Sequence, residues 1–184
     1  MFMQIRTSLG ALLMLTLMTG LICPLTLRGL GALLFPSKVE GSLLTSGDRV
    51  LGSSLLAQST PDPKWFWPRP SAADHQTLPS GASNLAPSSK KLLDGIAQQR
   101  AKQGDVPAEL LTTSGSGLDP DLSVKGAHSQ LPRICKARGW AEPRCLTLGD
   151  LIAKYEELPT LGFLGRKRVN VNILNLALLQ EDSK

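Results

Sequence analysis

The sequence predicts a single N-terminal transmembrane helix followed by a small α/β (α+β) domain. Three observations carry that reading. An uncharged stretch of 21 residues, 7–27, lies between Arg6 and Arg28. The composition changes at Pro36, beyond which glycine, serine and proline interrupt every apolar run. Short amphipathic segments then fill the C-terminal half, three at helical spacing and one alternating like a strand. The organisation expected is a short tail and helix over 1–35 and a soluble domain over 36–184.

The uncharged stretch, TSLGALLMLTLMTGLICPLTL, covers roughly 30 Å as a helix, the thickness of a hydrocarbon core. Thr16 and Thr19 can return their hydroxyls to carbonyls one turn back. Uncharged sequence resumes after Arg28 as GLGALLF. The helix is therefore expected from about Thr7 to Leu34, bent at Pro24, with Arg28 reaching toward headgroups. The stretch is longer than a cleavable signal core and CPLTL offers no small-x-small site, which favours an uncleaved span. Bulky Ile22 before Cys23 and Pro24 after it argue against lipid attachment. Arg6 and the amino group precede the span, while Arg28, Lys38 and Arg49 follow, interrupted by Glu40 and Asp48. That bias is nearly neutral and leaves both orientations open. Gly10 and Gly20 do not form a GxxxG pair, so there is no self-dimer signal; a partner helix remains open.

The 184 residues carry a formal charge of +5, of which +3 lies from Pro36 onward. A phosphate-backbone reader concentrates more basic charge than this on one face, so nucleic acid is excluded as a partner. The densest basic run, Arg166, Lys167 and Arg168, reads as a solvated turn before a strand or as a docking point for headgroups or an acidic partner.

Within the domain, residues 37–57 read as loops with short extended pieces. KWFWPRP (64–70) is the one aromatic cluster, and its prolines prevent a long regular element. Trp65, Phe66 and Trp67 anchor a loop or dock a partner; three adjacent aromatics cannot all point inward from one strand. Residues 71–89 are polar and rich in serine. A helix is expected near 89–103, capped by Ser88 or Ser89 and stopped by Gly104. VPAELLTT (106–113) reads as a short strand and 114–123 as a glycine- and aspartate-rich loop. A second helix near 124–138 starts at Ser123 and bends or restarts at Pro132. A third, near 148–158, has Thr147 and Asp150 as a near-capping box and ends at Pro159. LGFLG (161–165) is a hydrophobic link, and VNVNILNLAL predicts a terminal strand near 169–177.

Catalytic signatures are lacking in the sequence. There is no phosphate-binding loop, no GxSxG elbow, and no paired-histidine zinc motif. His75 beside Asp74 reads as a loop pair and His128 as a surface residue. Asp119 and Asp121 flank Pro120 and read as loop and cap residues, with an acid/base pair as the rival. Cys135 and Cys145 either close a small loop in an oxidising compartment or pack reduced.

Five blocks in order carry a family resemblance: FWPRPSA (66–72), SGASNLAPSS (80–89), LTTSGSGLDPDLS (111–123), QLPRICKARG (130–139) and LGFLGRKRVNVNILNLAL (161–178), after the span and its LLFP exit. The chain resembles the C subunit of the bacterial potassium-transporting P-type ATPase. It departs from that family's usual residues at Ala82, Ala86, Val124, Lys167 and Asn172, and the family rarely has the 135/145 cysteine pair. The resemblance implies an inner-membrane, single-pass subunit with a cytoplasmic amino terminus and an extracytoplasmic domain. It further implies a non-catalytic role, stabilising assembly of a channel-like potassium-binding subunit and an ATP-hydrolysing pump subunit beside a small single-span subunit. A catalytic-chaperone effect on the pump's ATP affinity is implied too, with ATP bound only together with the pump subunit and no other cofactor or metal expected. Partner contacts are expected at Trp65, Phe66, Trp67, Arg69, Asn84, Ser116, Asp119, Arg168 and Asn170. The rival functions are a membrane-anchored enzyme or a stand-alone binding protein using the 114–123 loop.

Overall fold

A computed structural model describes residues 2–182. The chain divides into two compact units, one ending at Leu43 and the other beginning at Leu44, somewhat past the boundary read at Pro36.

The first unit is dominated by α1, Phe2–Leu34, a predominantly apolar helix with Arg6 and Arg28 toward its ends and no buried residue. It starts at Phe2 rather than near Thr7. Met18–Ile22 widen into a π turn immediately before Pro24, and the Cys23 N–H reaches back to the Met18 carbonyl. Proline lacks the N–H that would continue the ladder, and its ring crowds the carbonyl four residues earlier; the wider turn relieves that crowding. Thr7, Thr19 and Thr26 each donate their hydroxyl to the carbonyl four residues back, at 2.7–2.9 Å. The hydroxyls are thereby satisfied within the helix itself, as a hydrocarbon environment requires. A helical turn, Pro36–Val39, follows.

The second unit is α+β with two small sheets. Strands β1 (Leu43–Ser46) and β2 (Arg49–Ser53) pair as a hairpin. After a long loop come α2 (Lys90–Gln103), β3 (Asp121–Ser123), α3 (Val124–Ser129), α4 (Leu131–Arg138), α5 (Glu142–Lys154), β4 (Glu156–Glu157), β5 (Arg168–Asn170) and α6 (Val171–Asp182). The second sheet has the order β3–β5–β4, all antiparallel. Its register sets Leu122 opposite Val169, both buried, so one face of this short sheet joins the core. Phe66, Leu110, Ile134, Leu148, Ile152, Leu174 and Leu178 complete that core.

Three expectations change and one open alternative resolves. The terminal strand expected near 169–177 is only three residues long and turns into α6 at Val171. Asn170 causes the switch: its Oδ1 accepts the N–H groups of Asn172 and Ile173, at 3.1 and 3.2 Å, as an N-cap does. Val171, Leu174, Ala177 and Leu178 then face inward at helical spacing. The strand expected at 106–113 is instead a single 3-10 turn, Ala108–Leu110, entered from Pro107. Of the bend and the restart read at Pro132, the restart is realised: α3 and α4 are separate helices, and Pro132 sits in the first turn of α4, where no N–H is required. The helix expected at 148–158 spans Glu142–Lys154: Pro143 sits in its first turn, and Thr147, inside it, donates to the Arg144 carbonyl rather than capping.

α2 begins where expected, with Ser89 extended at the N-cap position, but no serine hydroxyl caps it; Gly104 ends it at φ +80°. Ser123 caps α3 by accepting the Gly126 N–H at 3.0 Å, while its own hydroxyl donates to Glu109 Oε1.

Candidate functional site

The aromatic segment is the most heavily secured part of the domain. Phe66 is completely buried in the core. Its N–H donates to Asn175 Oδ1 at 2.8 Å, and Asn175 Nδ2 donates back to the Phe66 carbonyl at 2.9 Å. Gln130 repeats this arrangement one residue on, accepting the Trp67 N–H at 2.8 Å and donating to the Trp67 carbonyl at 2.9 Å. A primary amide has an acceptor and donors side by side, so it can mimic a neighbouring strand for a chain that has none. Two arginines of α4 close over the outside. Arg133 donates to the carbonyls of Pro63 and Trp65 and stacks on the Trp67 ring at 3.7 Å. Arg138 donates to the Lys64 carbonyl, pairs with Asp182, and lies 4.9 Å from the Trp65 ring and 4.8 Å from that of Trp140. Burial lowers the Arg133 guanidinium pKa to about 10.

Asn170 and Asn172 extend the same seam. Asn170 Nδ2 donates to the Ser54 carbonyl, and Asn172 Nδ2 to the carbonyls of Ser53 and Leu56. Start and finish of the domain are thus joined by asparagine side chains.

A second assembly unites the polar loops. Arg69 pairs with Asp119 at 3.4 Å and donates to the Thr113 carbonyl. Thr113 donates to the Ser83 hydroxyl, and Ser71 Oγ accepts the N–H groups of Ala73 and His75. Gly117, at φ +72°, passes so close to Gly81 that an added Cβ would meet the Gly81 carbonyl oxygen at 2.9 Å. Loops around 70, 82 and 115 therefore form one body. At its edge Asp121 pairs with Arg168 at 3.1 Å, and Arg168 also holds Glu157 at 2.9 Å. Burial pushes the Asp121 carboxyl pKa up, partly offset by Arg168.

The expected contact residues thus separate by exposure. Phe66 and Asn170 are buried and hold the domain together, so neither offers surface to a partner in this conformation. Trp65, Trp67, Arg69 and Asp119 are half-buried, each engaged internally. Asn84, Ser116 and Arg168 are exposed. Asn84 adopts φ +50°, and Ser116 Oγ accepts the Leu118 N–H. Sequence reasoning missed Gln130, Arg133, Arg138 and Asn175. The available signal was two arginines on a short helix, a glutamine just before it and a tryptophan-rich loop, but the pairing spans more than sixty residues.

Cys135 and Cys145 form a disulfide across the α4–α5 turn. His75 and His128 do not come together with other ligand types: among the described residues no group of three His, Cys, Asp or Glu could hold a metal ion.

The fold and these seams define a single-span membrane protein with an α+β domain whose polar side chains chiefly hold its own loops. The family described as K+-transporting ATPase, c chain (KdpC), matches residues 5–180, and the chain belongs to that family. Relatives named potassium-transporting ATPase KdpC subunit include one from Pseudomonas aeruginosa PAO1, 45% identical over 97% of each chain. One from Rhodopseudomonas palustris TIE-1 is 41% identical over 97% of each chain. Another, from a Janthinobacterium species, is 41% identical over 95% of this chain and 97% of its own. The soluble domain is extracytoplasmic, in keeping with its disulfide.

Proposed function

We propose that the chain is the accessory subunit of an ATP-driven potassium importer in the cell inner membrane. In this reading α1 seats it with the amino terminus in the cytoplasm, and its domain stabilises assembly of a channel-like subunit, a pump subunit and a small single-span subunit. The observation that carries the reading is the family match along nearly the whole chain, residues 5–180. The engagement of Asp119 with Arg69 and of Asp121 with Arg168 supports a structural rather than a catalytic use of the 114–123 region. Any effect on the pump's ATP affinity then comes through assembly, because the domain lies on the side of the membrane away from nucleotide.

The test is recovery of the tagged, full-length chain from detergent-solubilised membranes. A channel-like subunit and a P-type pump subunit should accompany it in constant ratio. Deleting the chain should lower the yield of the assembled complex; an unchanged yield, together with unchanged potassium-dependent ATP hydrolysis, would overturn the proposal.

A further inference from the structure

We infer that the hairpin joining β4 to β5 docks into an uncharged, apolar pocket on another chain of the same complex, on its extracytoplasmic side. The inference rests on the accessory-subunit reading and adds the surface through which the domain engages. Residues 158–164 hold four large apolar side chains, and all four are exposed: Leu158, Leu161, Phe163 and Leu164, with Leu161 at 81% and Phe163 at 78%. Contiguous apolar surface of this kind on an ordered loop marks an interaction site.

The loop has a defined fold. Thr160 and Leu164 exchange both main-chain hydrogen bonds, at 3.0 and 2.9 Å, and the Gly162 N–H donates to the Pro159 carbonyl. Leu161 is held at φ +56°, a conformation disfavoured for side chains with a Cβ, and Gly162 and Gly165 complete the turn at φ +83° and +100°. The backbone therefore fixes these apolar groups outward, where a relaxed turn could fold them back.

Charge at the base identifies the occupant. The basic run beside the tip, Arg166, Lys167 and Arg168, is matched in number by Asp121, Glu156 and Glu157; Arg166 is exposed, while the other two cations are paired. Lys167 pairs with Glu156 at 2.6 Å, and Arg168 pairs with Glu157 and Asp121. A loop that inserts among anionic lipids carries an excess of cations for the headgroups, and here the charges balance. An apolar centre with a self-compensated polar rim is instead the anatomy of a protein interface, and it suits a partner without net charge.

The experiment places the photoreactive benzoyl-phenylalanine at position 163 of the full-length chain in native membranes. The expected adduct joins this chain to one other subunit of the complex at an extracytoplasmic segment, identified by mass spectrometry. In parallel, Phe163→Asp and Leu161→Ser should each reduce recovery of the other subunits more than tenfold without changing the chain's own melting temperature. Adducts only to lipid, adducts only to a second copy of this chain, or recovery at the unsubstituted level would each overturn the docking site. If the unsubstituted chain itself recovers no other subunit, the accessory reading falls and this inference with it. If it recovers them and the tip variants do too, the docking site alone falls.

Discussion

Residues 65–67 and 161–164 are both short apolar loops bordered by proline or glycine and followed by arginine, yet they occupy opposite environments. In the first, Phe66 is fully buried and its tryptophan neighbours lie half-buried under arginines. In the second, Leu161, Phe163 and Leu164 point to solvent. Hydrophobicity does not separate them. What does is the supply of main-chain partners. Burying an irregular loop requires satisfying its N–H and carbonyl groups, and an unpaired buried group costs about 1–3 kcal/mol. Asn175 and Gln130 meet that requirement at Phe66 and Trp67, each with a reciprocal pair of bonds. The hairpin instead satisfies its own backbone across Thr160 and Leu164, so nothing draws it inward.

The contrast can be broken most forcefully at Phe66. Phe66→Ala should destabilise the domain by about 3–5 kcal/mol, as expected for a fully buried aromatic truncated in a packed core. The measurement is the denaturation midpoint of the full chain in detergent, followed by tryptophan fluorescence; a loss below about 1 kcal/mol would mean the loop is not anchored as described. Gln130→Ala ranks next, at about 2–3 kcal/mol, because it leaves both Trp67 main-chain groups without their partner. Gln130→Leu, similar in size and lacking the amide, should be nearly as damaging if hydrogen bonding rather than volume is responsible.

A smaller effect tests the base of the hairpin, where Asp121 meets Arg168. Burial raises the Asp121 pKa in the folded state, so the folded chain takes up this proton before the unfolded one does. The contribution of this carboxyl to stability is therefore fully present below its unfolded pKa and is lost as pH rises through the folded value. Unfolding midpoints measured between pH 7 and pH 4 should show the unsubstituted chain gaining relative to Asp121→Asn as pH falls. Parallel profiles would remove Asp121 as the titrating group. The smallest change is expected at the tip: Phe163→Ser should alter stability by no more than about 0.5 kcal/mol, since its side chain contributes little to the core. A loss comparable to that of Phe66→Ala would erase the distinction between the two loops.

Some elements were legible because the information is local. α1 follows from uncharged sequence of membrane length, and the end of α2 from Gly104. The restart at Pro132 was one of two outcomes that proline chemistry allows. The third helix shows where local reading slips: Thr147 and Asp150 resemble a cap, but Pro143 provides an earlier start and the chain uses it. The final segment shows a deeper limit. VNVNIL alternates like a strand for five residues, and LNLAL continues equally well as a helix. The choice depends on Asn170, which caps α6 while also bonding the Ser54 carbonyl over a hundred residues away.

For the candidate contacts, residue type alone marked the aromatic cluster and the polar loops as unusual. It could not tell which members face inward. Asn170 and Phe66 proved internal, whereas the more exposed apolar surface lies at residues 158–164, which the sequence presented as a mere link.

By itself the sequence determined the membrane span, the position of its proline-induced irregularity, the division into anchor and domain, and the family. These depend on length, charge and residue order over short distances, which any conformation of the chain preserves. Only the tertiary structure decided which apolar loop is core and which is surface, where the last strand becomes a helix, and which cysteines pair. Those outcomes depend on partners brought from distant positions, since whether a backbone group is satisfied after burial is a property of the folded neighbourhood and not of the residue.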